Sequence, residues 1–218
     1  MKVITVAASK GGSGKTSTVA LLAAKATIEG EHVCMLDLNH DQANLAQWHA
    51  VRGQMLPHLI QDIENVVRDV QIIRATGKFD WMIIDTPPLD MDVIETAVMV
   101  ADCVVVPVRA SMFDIEAVRP IVEMCNERRK PFAFLRSAFD THFKRLNSAS
   151  HNDLLKMGNV LSTTISYRLP YINALTMGKT GAEISKDLMP EADALWVEVK
   201  RLANSSTAQS LKTKVANG

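Results

Sequence analysis

Residues 10–16 read Lys-Gly-Gly-Ser-Gly-Lys-Thr, and these residue types at this spacing suit the binding of a phosphate chain. Gly11, Gly12 and Gly14 let the backbone curl, so that successive N–H groups, including that of Ser13, turn inward towards phosphate oxygens. Lys15 is placed to reach the β- and γ-phosphates, and the Thr16 hydroxyl to ligate Mg²⁺. Ser17 follows in the first turn of the expected helix, whose N-terminus adds a partial positive charge. A second candidate group closes the apolar run Phe79–Asp85 of FDWMIIDTPP. A carboxylate at the C-terminal edge of a strand lies beside such a loop in parallel sheets, which makes Asp85 a candidate to hold Mg²⁺ through a water.

The elements that must carry these groups alternate in type. Apolar runs of strand length cover Lys2–Ala8, His32–Asp37, Trp81–Asp85, Cys103–Val108 and Phe132–Leu135, with a shorter one near Val160–Ile165. Helical stretches are expected at Thr16–Glu29, Ile115–Arg128, Asn152–Met157, Pro170–Met177 and Glu191–Ala203, with Pro190 suiting a helix start. Residues 41–78 give no clear pattern. The alternation predicts an α/β fold, a mostly parallel sheet with helices on both faces. One domain is expected over 1–203, and the polar, aperiodic stretch 204–218 is expected to be a flexible tail.

Charge identifies no partner overall, since Lys plus Arg and Asp plus Glu both number 24. The balance is uneven, however: residues 1–135 hold 13 basic and 17 acidic groups, and 136–218 hold 11 and 7, leaving about −4 and +4. Arg145, Lys156, Arg168, Lys179 and Lys186 are the candidates for a DNA-facing surface in the basic part. Cys34, Cys103 and Cys125 sit in apolar runs without metal-ligand spacing and read as buried, reduced thiols. The apolar run Val3–Ala8 is too short for a signal-peptide core or a membrane span, so a cytoplasmic location is expected.

Lys10 followed by GGSGKT, with Ser9 where the general GxxxxGK[ST] pattern has its first glycine, is the deviant Walker A form of the phosphate loop. On it the chain is identified as a member of the ParA/MinD superfamily of phosphate-loop NTPases, and residues 163–183, TTISYRLPYINALTMGKTGAE, resemble the small single-domain, ParF-like partition ATPases. The resemblance implies an ATPase that uses ATP and Mg²⁺ and forms a homodimer with ATP. In such a dimer Lys10 acts on the phosphates held by the partner subunit. It makes Asp85 the Walker B carboxylate and sets HVCMLDLNHDQANLAQW against a DxDPQ segment. Asp37 fits the first aspartate, nearer the metal. Asn39 stands at the second, and His40–Asp41 come as if one residue were inserted before Gln42. Water positioning is assigned to Asp41, and Asn39 or His40 in that place would slow hydrolysis. The polar residue that completes an adenine pocket falls at Arg136–Ser137.

By resemblance, ATP closes a dimer, the dimer binds nucleoid DNA without sequence preference, and a ParB-like or other adaptor stimulates hydrolysis. The process served is plasmid or chromosome segregation, or cargo positioning. The alternative is a MinD-like membrane switch. It would need the stripe Leu195, Trp196, Val199 and Leu202 for lipid, but Glu191, Asp193 and Glu198 interrupt that helix, and packing on the sheet is the expected role.

Overall fold

The apolar runs become seven strands of one sheet in a computed structural model. It describes all residues except 54, 55, 62, 140, 141, 167, 217 and 218, and leaves out the side chains of 139, 144 and 206–216. In chain order the elements are β1 (Lys2–Val6), α1 (Lys15–Ile28), β2 (Val33–Asp37), α2 (Asn44–Arg52), β3 (His58–Ile60), α3 (Val66–Ala75), β4 (Trp81–Asp85), α4 (Met91–Val100) and β5 (Cys103–Val108). There follow α5 (Met112–Ala117), α6 (Arg119–Glu127), β6 (Phe132–Phe139), α7 (Lys144–Met157), β7 (Asn159–Ser166), α8 (Leu169–Thr176), α9 (Gly181–Ile184) and α10 (Met189–Ala216). A 3-10 turn at Lys186–Leu188 precedes α10. The strand order is β3-β2-β4-β1-β5-β6-β7, and every pairing is parallel.

Buried on both faces, the central strands are continuous apolar runs, and successive residues serve opposite layers. Ile4, Met35, Ile83, Val105 and Leu135 face one core with α1 and the first half of α10, where Trp196 is fully buried. Its ring meets Trp81 edge-on at 4.9 Å, and its indole N–H donates to Glu29 at 3.0 Å. Val3, Leu36, Met82 and Ile84 face the opposite side beneath α3 and α4, and Val104, Val106 and Phe134 continue it beneath α6 and α7. Cys34, Cys103 and Cys125 are buried and unpaired, and burial pushes the Cys34 thiol up to about 12.

The structure departs from the sequence expectation in several places: α4 and α9 were not expected, and α7 starts at Lys144, eight residues before the helix expected at Asn152. The unclear region 41–78 holds α2, β3 and α3. Its strand is three residues long, with all three half-buried, too short to show a period. The helix expected over 115–128 is two, α5 and α6, because Pro120 in the first turn of α6 cannot donate to a helix running through it. The strand expected at 132–135 runs to Phe139, with irregular pairing to β7. Finally, the backbone of α10 continues to Ala216, beyond the boundary expected at 203. The stretch has no proline, and its Ala, Gln, Leu and Lys favour helix.

Strand β7 forms one margin of the sheet. Its pairing to β6 steps from Phe134↔Val160 to Arg136↔Thr164, so the extra residues bulge. The Ser162 and Thr163 amides freed there donate to the Glu198 carboxylate of α10, at 2.8 and 3.2 Å.

Candidate functional site

Strand β1 ends at the sheet's centre, between β4 and β5, and the chain turns there into the glycine loop and α1. Gly14 caps α1 with a left-handed φ of 92°, and Gly12 has φ 69°, conformations that a residue with a Cβ rarely adopts. Ser137, at the end of β6, fixes the loop from the side by donating to the Ser13 carbonyl at 2.7 Å.

Asp85 meets the loop from β4. Its Oδ2 accepts from the Thr16 hydroxyl at 2.6 Å, while Oδ1 is buried without a hydrogen-bond partner. Burial pushes this carboxyl up to about 7; the Thr16 hydrogen bond opposes, neighbouring Asp37 adds to the rise, and Lys15 opposes. Lys15 is itself buried, with Nζ 3.3 Å from the Lys10 carbonyl; burial lowers its ammonium against the pull of Asp85. The site therefore offers buried hard oxygens, one of them unsatisfied. That donor set fits Mg²⁺.

Asp37 pairs in register with Asp85 across β2 and β4. Its two oxygens accept from the amides of Asn39 at 2.9 Å and Ala46 at 3.2 Å, so it shapes the turn into α2. The turn decides where Asp41, expected to position water, is placed. Ala43 N–H donates to the Asn39 carbonyl at 2.7 Å, which leaves His40 and Asp41 exposed at its apex. Asn39 and Gln42 line the cavity formed by Gly11, Gly12, Gly14, Lys15, Thr16 and Ser17, and Asp41 does not.

Lys10 leaves the loop sideways. Its Nζ pairs with Asp114 at 2.8 Å on the N-terminal turn of α5; its own side chain is 48% exposed and that of Asp114 10%. Burial raises the Asp114 carboxyl, but Lys10 and the Ser111 hydroxyl outweigh it and hold the group below its ordinary range.

A second cavity opens on the other side of the loop, bounded by Gly12–Gly14, Ser17 and Thr18 and, opposite, by Ser137, Ile165, Arg168, Tyr171 and Leu175. Apolar walls with a few fixed polar groups suit a nucleobase and ribose. Of the pair Arg136–Ser137, Ser137 lines it. Arg168, a candidate for a DNA surface, borders this cavity and pairs with Glu191 at 3.2 Å, while the Tyr171 hydroxyl donates to the same carboxylate at 2.7 Å. Sequence reasoning missed Arg109, Tyr171 and Gln42. The usable signal was position, since each lies in the loop after a strand's C-terminal end or in the helix that follows it. The other DNA candidates are dispersed: Arg145 and Lys156 on α7, Lys179 and Lys186 on either side of α9. Lys156 is paired with Asp153 at 2.8 Å.

Comparison with known proteins agrees with this geometry. Residues 4–217 match the CobQ/CobB/MinD/ParA nucleotide-binding domain. A "Maintenance of carboxysome distribution protein A" from Gloeobacter kilaueensis is 33% identical over 115 residues, covering 52% of this chain and 52% of that protein, about half its length. One of the same name from Halothiobacillus neapolitanus is 27% identical over 184 residues, covering 80% and 84%. The septum site-determining protein MinD of Pyrococcus horikoshii, solved with Mg-ADP, superposes with a TM-score of 0.73 at 16% identity, covering 94% of this chain and 98% of that one. Among the described residues no helix is long and apolar enough to cross a membrane.

Proposed function

Because this chain belongs to the CobQ/CobB/MinD/ParA family of nucleotide-binding domains, we propose that it is an ATP-driven positioning switch. ATP with Mg²⁺ closes two copies face to face, the dimer holds DNA without sequence preference, and an adaptor protein triggers hydrolysis and release. The observation that carries this reading is the direction of Lys10. Its ammonium is turned out of its own loop and held by Asp114 at the rim, about half exposed, where a second subunit can receive it.

Within one subunit the loop amides and Lys15 bind the phosphate chain, and Thr16 and Asp85 would hold Mg²⁺, which neutralises charge on the β- and γ-oxygens. Closure requires Lys10 to exchange Asp114 for the partner's nucleotide. The Ser111 hydroxyl, which donates to Asp114 at 2.6 Å, keeps that carboxylate partnered when the lysine leaves. Once across, the lysine does for the transferring phosphoryl group what an arginine finger does elsewhere.

The names of the two carboxysome-distribution relatives favour a protein assembly as cargo over a plasmid or chromosome. Arg145, Lys179 and Lys186 support the DNA step; all three are exposed and make no ion pair among the described residues. The membrane alternative is disfavoured because Leu195, Trp196 and Val199 are fully buried against the sheet and α1. The working place is then the nucleoid within the cytoplasm. Binding to a random-sequence duplex, measured with ATP, with ADP and without nucleotide, tests the switch. Tight, salt-sensitive binding with ATP alone is expected; equal binding in all three conditions would rule it out.

A further inference from the structure

Arg109 follows β5 directly, and β5 is the neighbour of β1, whose end continues into the glycine loop. The topology therefore delivers a guanidinium to the loop, where its Nη2 donates to the Gly12 carbonyl. The two residues fit each other: a Cβ on Gly12 would stand 2.8 Å from that nitrogen. Arg109 also borders the second cavity, on the side formed by Gly12, Ser13, Gly14 and Ser17 of the phosphate loop and helix start.

The charge of Arg109 is otherwise unspent. It is exposed and makes no ion pair with a carboxylate among the described residues. The acid that feels it, Asp114, is already bound to Lys10. Arg168, the other guanidinium of the cavity, is committed to Glu191. A single hydrogen bond to a neutral carbonyl is a weak hold on a cation, whereas a phosphate offers a charged, two-pronged partner.

We propose that Arg109 is a phosphate ligand acting within its own subunit: beside the Gly12 carbonyl on which it rests in this structure, its guanidinium turns onto the phosphate chain when nucleotide binds. The inference depends on the nucleotide reading above. It gives the site a third cation with a different geometry from Lys15, which comes from inside the loop, and from Lys10, which crosses to the other copy.

The test removes dimerisation and reads phosphate binding alone. In a Lys10→Ala background, shown to be monomeric by sedimentation, ATP, ADP and adenosine are titrated with Mg²⁺ present. Arg109→Ala should weaken ATP and ADP by about tenfold, the scale of a charge-assisted contact, and leave adenosine unchanged. Arg109→Gln keeps a neutral donor for the Gly12 carbonyl and should lose as much, which separates charge from support of the loop. Arg109→Lys should recover only part, since an ammonium lacks the planar fork. Unchanged ATP and ADP affinity in Arg109→Ala and Arg109→Gln would overturn the proposal. So would a loss seen only in dimers carrying Lys10, because it would put Arg109 on the other subunit's nucleotide. If the Lys10→Ala parent bound neither nucleotide, the underlying ATP reading would fail first, a result distinct from either.

Discussion

Asn39 stands where a carboxylate would be useful. It is buried at the mouth of the phosphate cavity, held by the turn that Asp37 organises, and its amide cannot take a proton from an attacking water. Asn39→Asp should therefore speed single-turnover phosphate release, by about tenfold or more given the usual size of such contributions. An unchanged rate would mean that water is oriented from elsewhere, with Gln42 the next residue on the cavity wall. At this scale the sequence is legible wherever chemistry is local. The loop declares Lys15 and Thr16 because all its parts are contiguous, and Asp85 is visible at the end of an apolar run. The placement of Asp41 was not legible, because the tight turn between Asn39 and Ala43, which throws residues 40 and 41 outward, has no glycine or proline to announce it.

Helix α2 is tied at both ends. Asp37 receives its first turn, and at its last residue Arg52 makes a bidentate pair with Glu183 of α9, at 3.1 and 2.8 Å, with side chains only 7% and 18% exposed. The same guanidinium donates to the Gly178 carbonyl at 3.0 Å and lies 5.1 Å from the Trp48 ring. Removing one partner strands a buried charge, so Arg52→Ala should cost about 3–5 kcal/mol in urea unfolding. Replacing both by apolar residues, Arg52→Met with Glu183→Leu, should restore most of that. Burial raises the Glu183 carboxyl, but Arg52 together with the Thr180 amide and hydroxyl outweighs it and holds the group below its ordinary range. A depressed carboxyl stabilises the fold at pH above its unfolded value and loses that contribution as pH falls through the folded one. The parent should thus lose more stability in acid than the apolar double variant. Nothing in the sequence joins Arg52 to Glu183, which lie 131 positions apart. The central strands could be read because two-sided burial makes them continuous apolar runs, while α2, β3 and α3 are partly exposed and mix their signals.

Over the whole molecule, the three most exposed large apolar side chains among the described residues lie beside the phosphate loop and its Lys10–Asp114 pair. Leu89, whose amide donates to the Ser9 carbonyl, is 79% exposed, and Met112 and Phe113, next to Asp114, are 74% and 80% exposed. Exposed apolar groups beside a charged site suit a contact made when the site is filled. Phe113→Ala should weaken ATP-dependent self-association by about tenfold or more while leaving the ATP affinity of the single subunit intact, read by sedimentation and by titration of a dilute sample. Equal self-association would take Phe113 out of the contact. The opposite tendency marks the far border, where the Glu198 carboxylate claims the Ser162 and Thr163 amides of β7. An incoming strand would find those donors already occupied and a negative charge guarding them. Growth into fibres by edge-to-edge strand pairing is discouraged along this border, so crowding many copies together need not seed aggregation there.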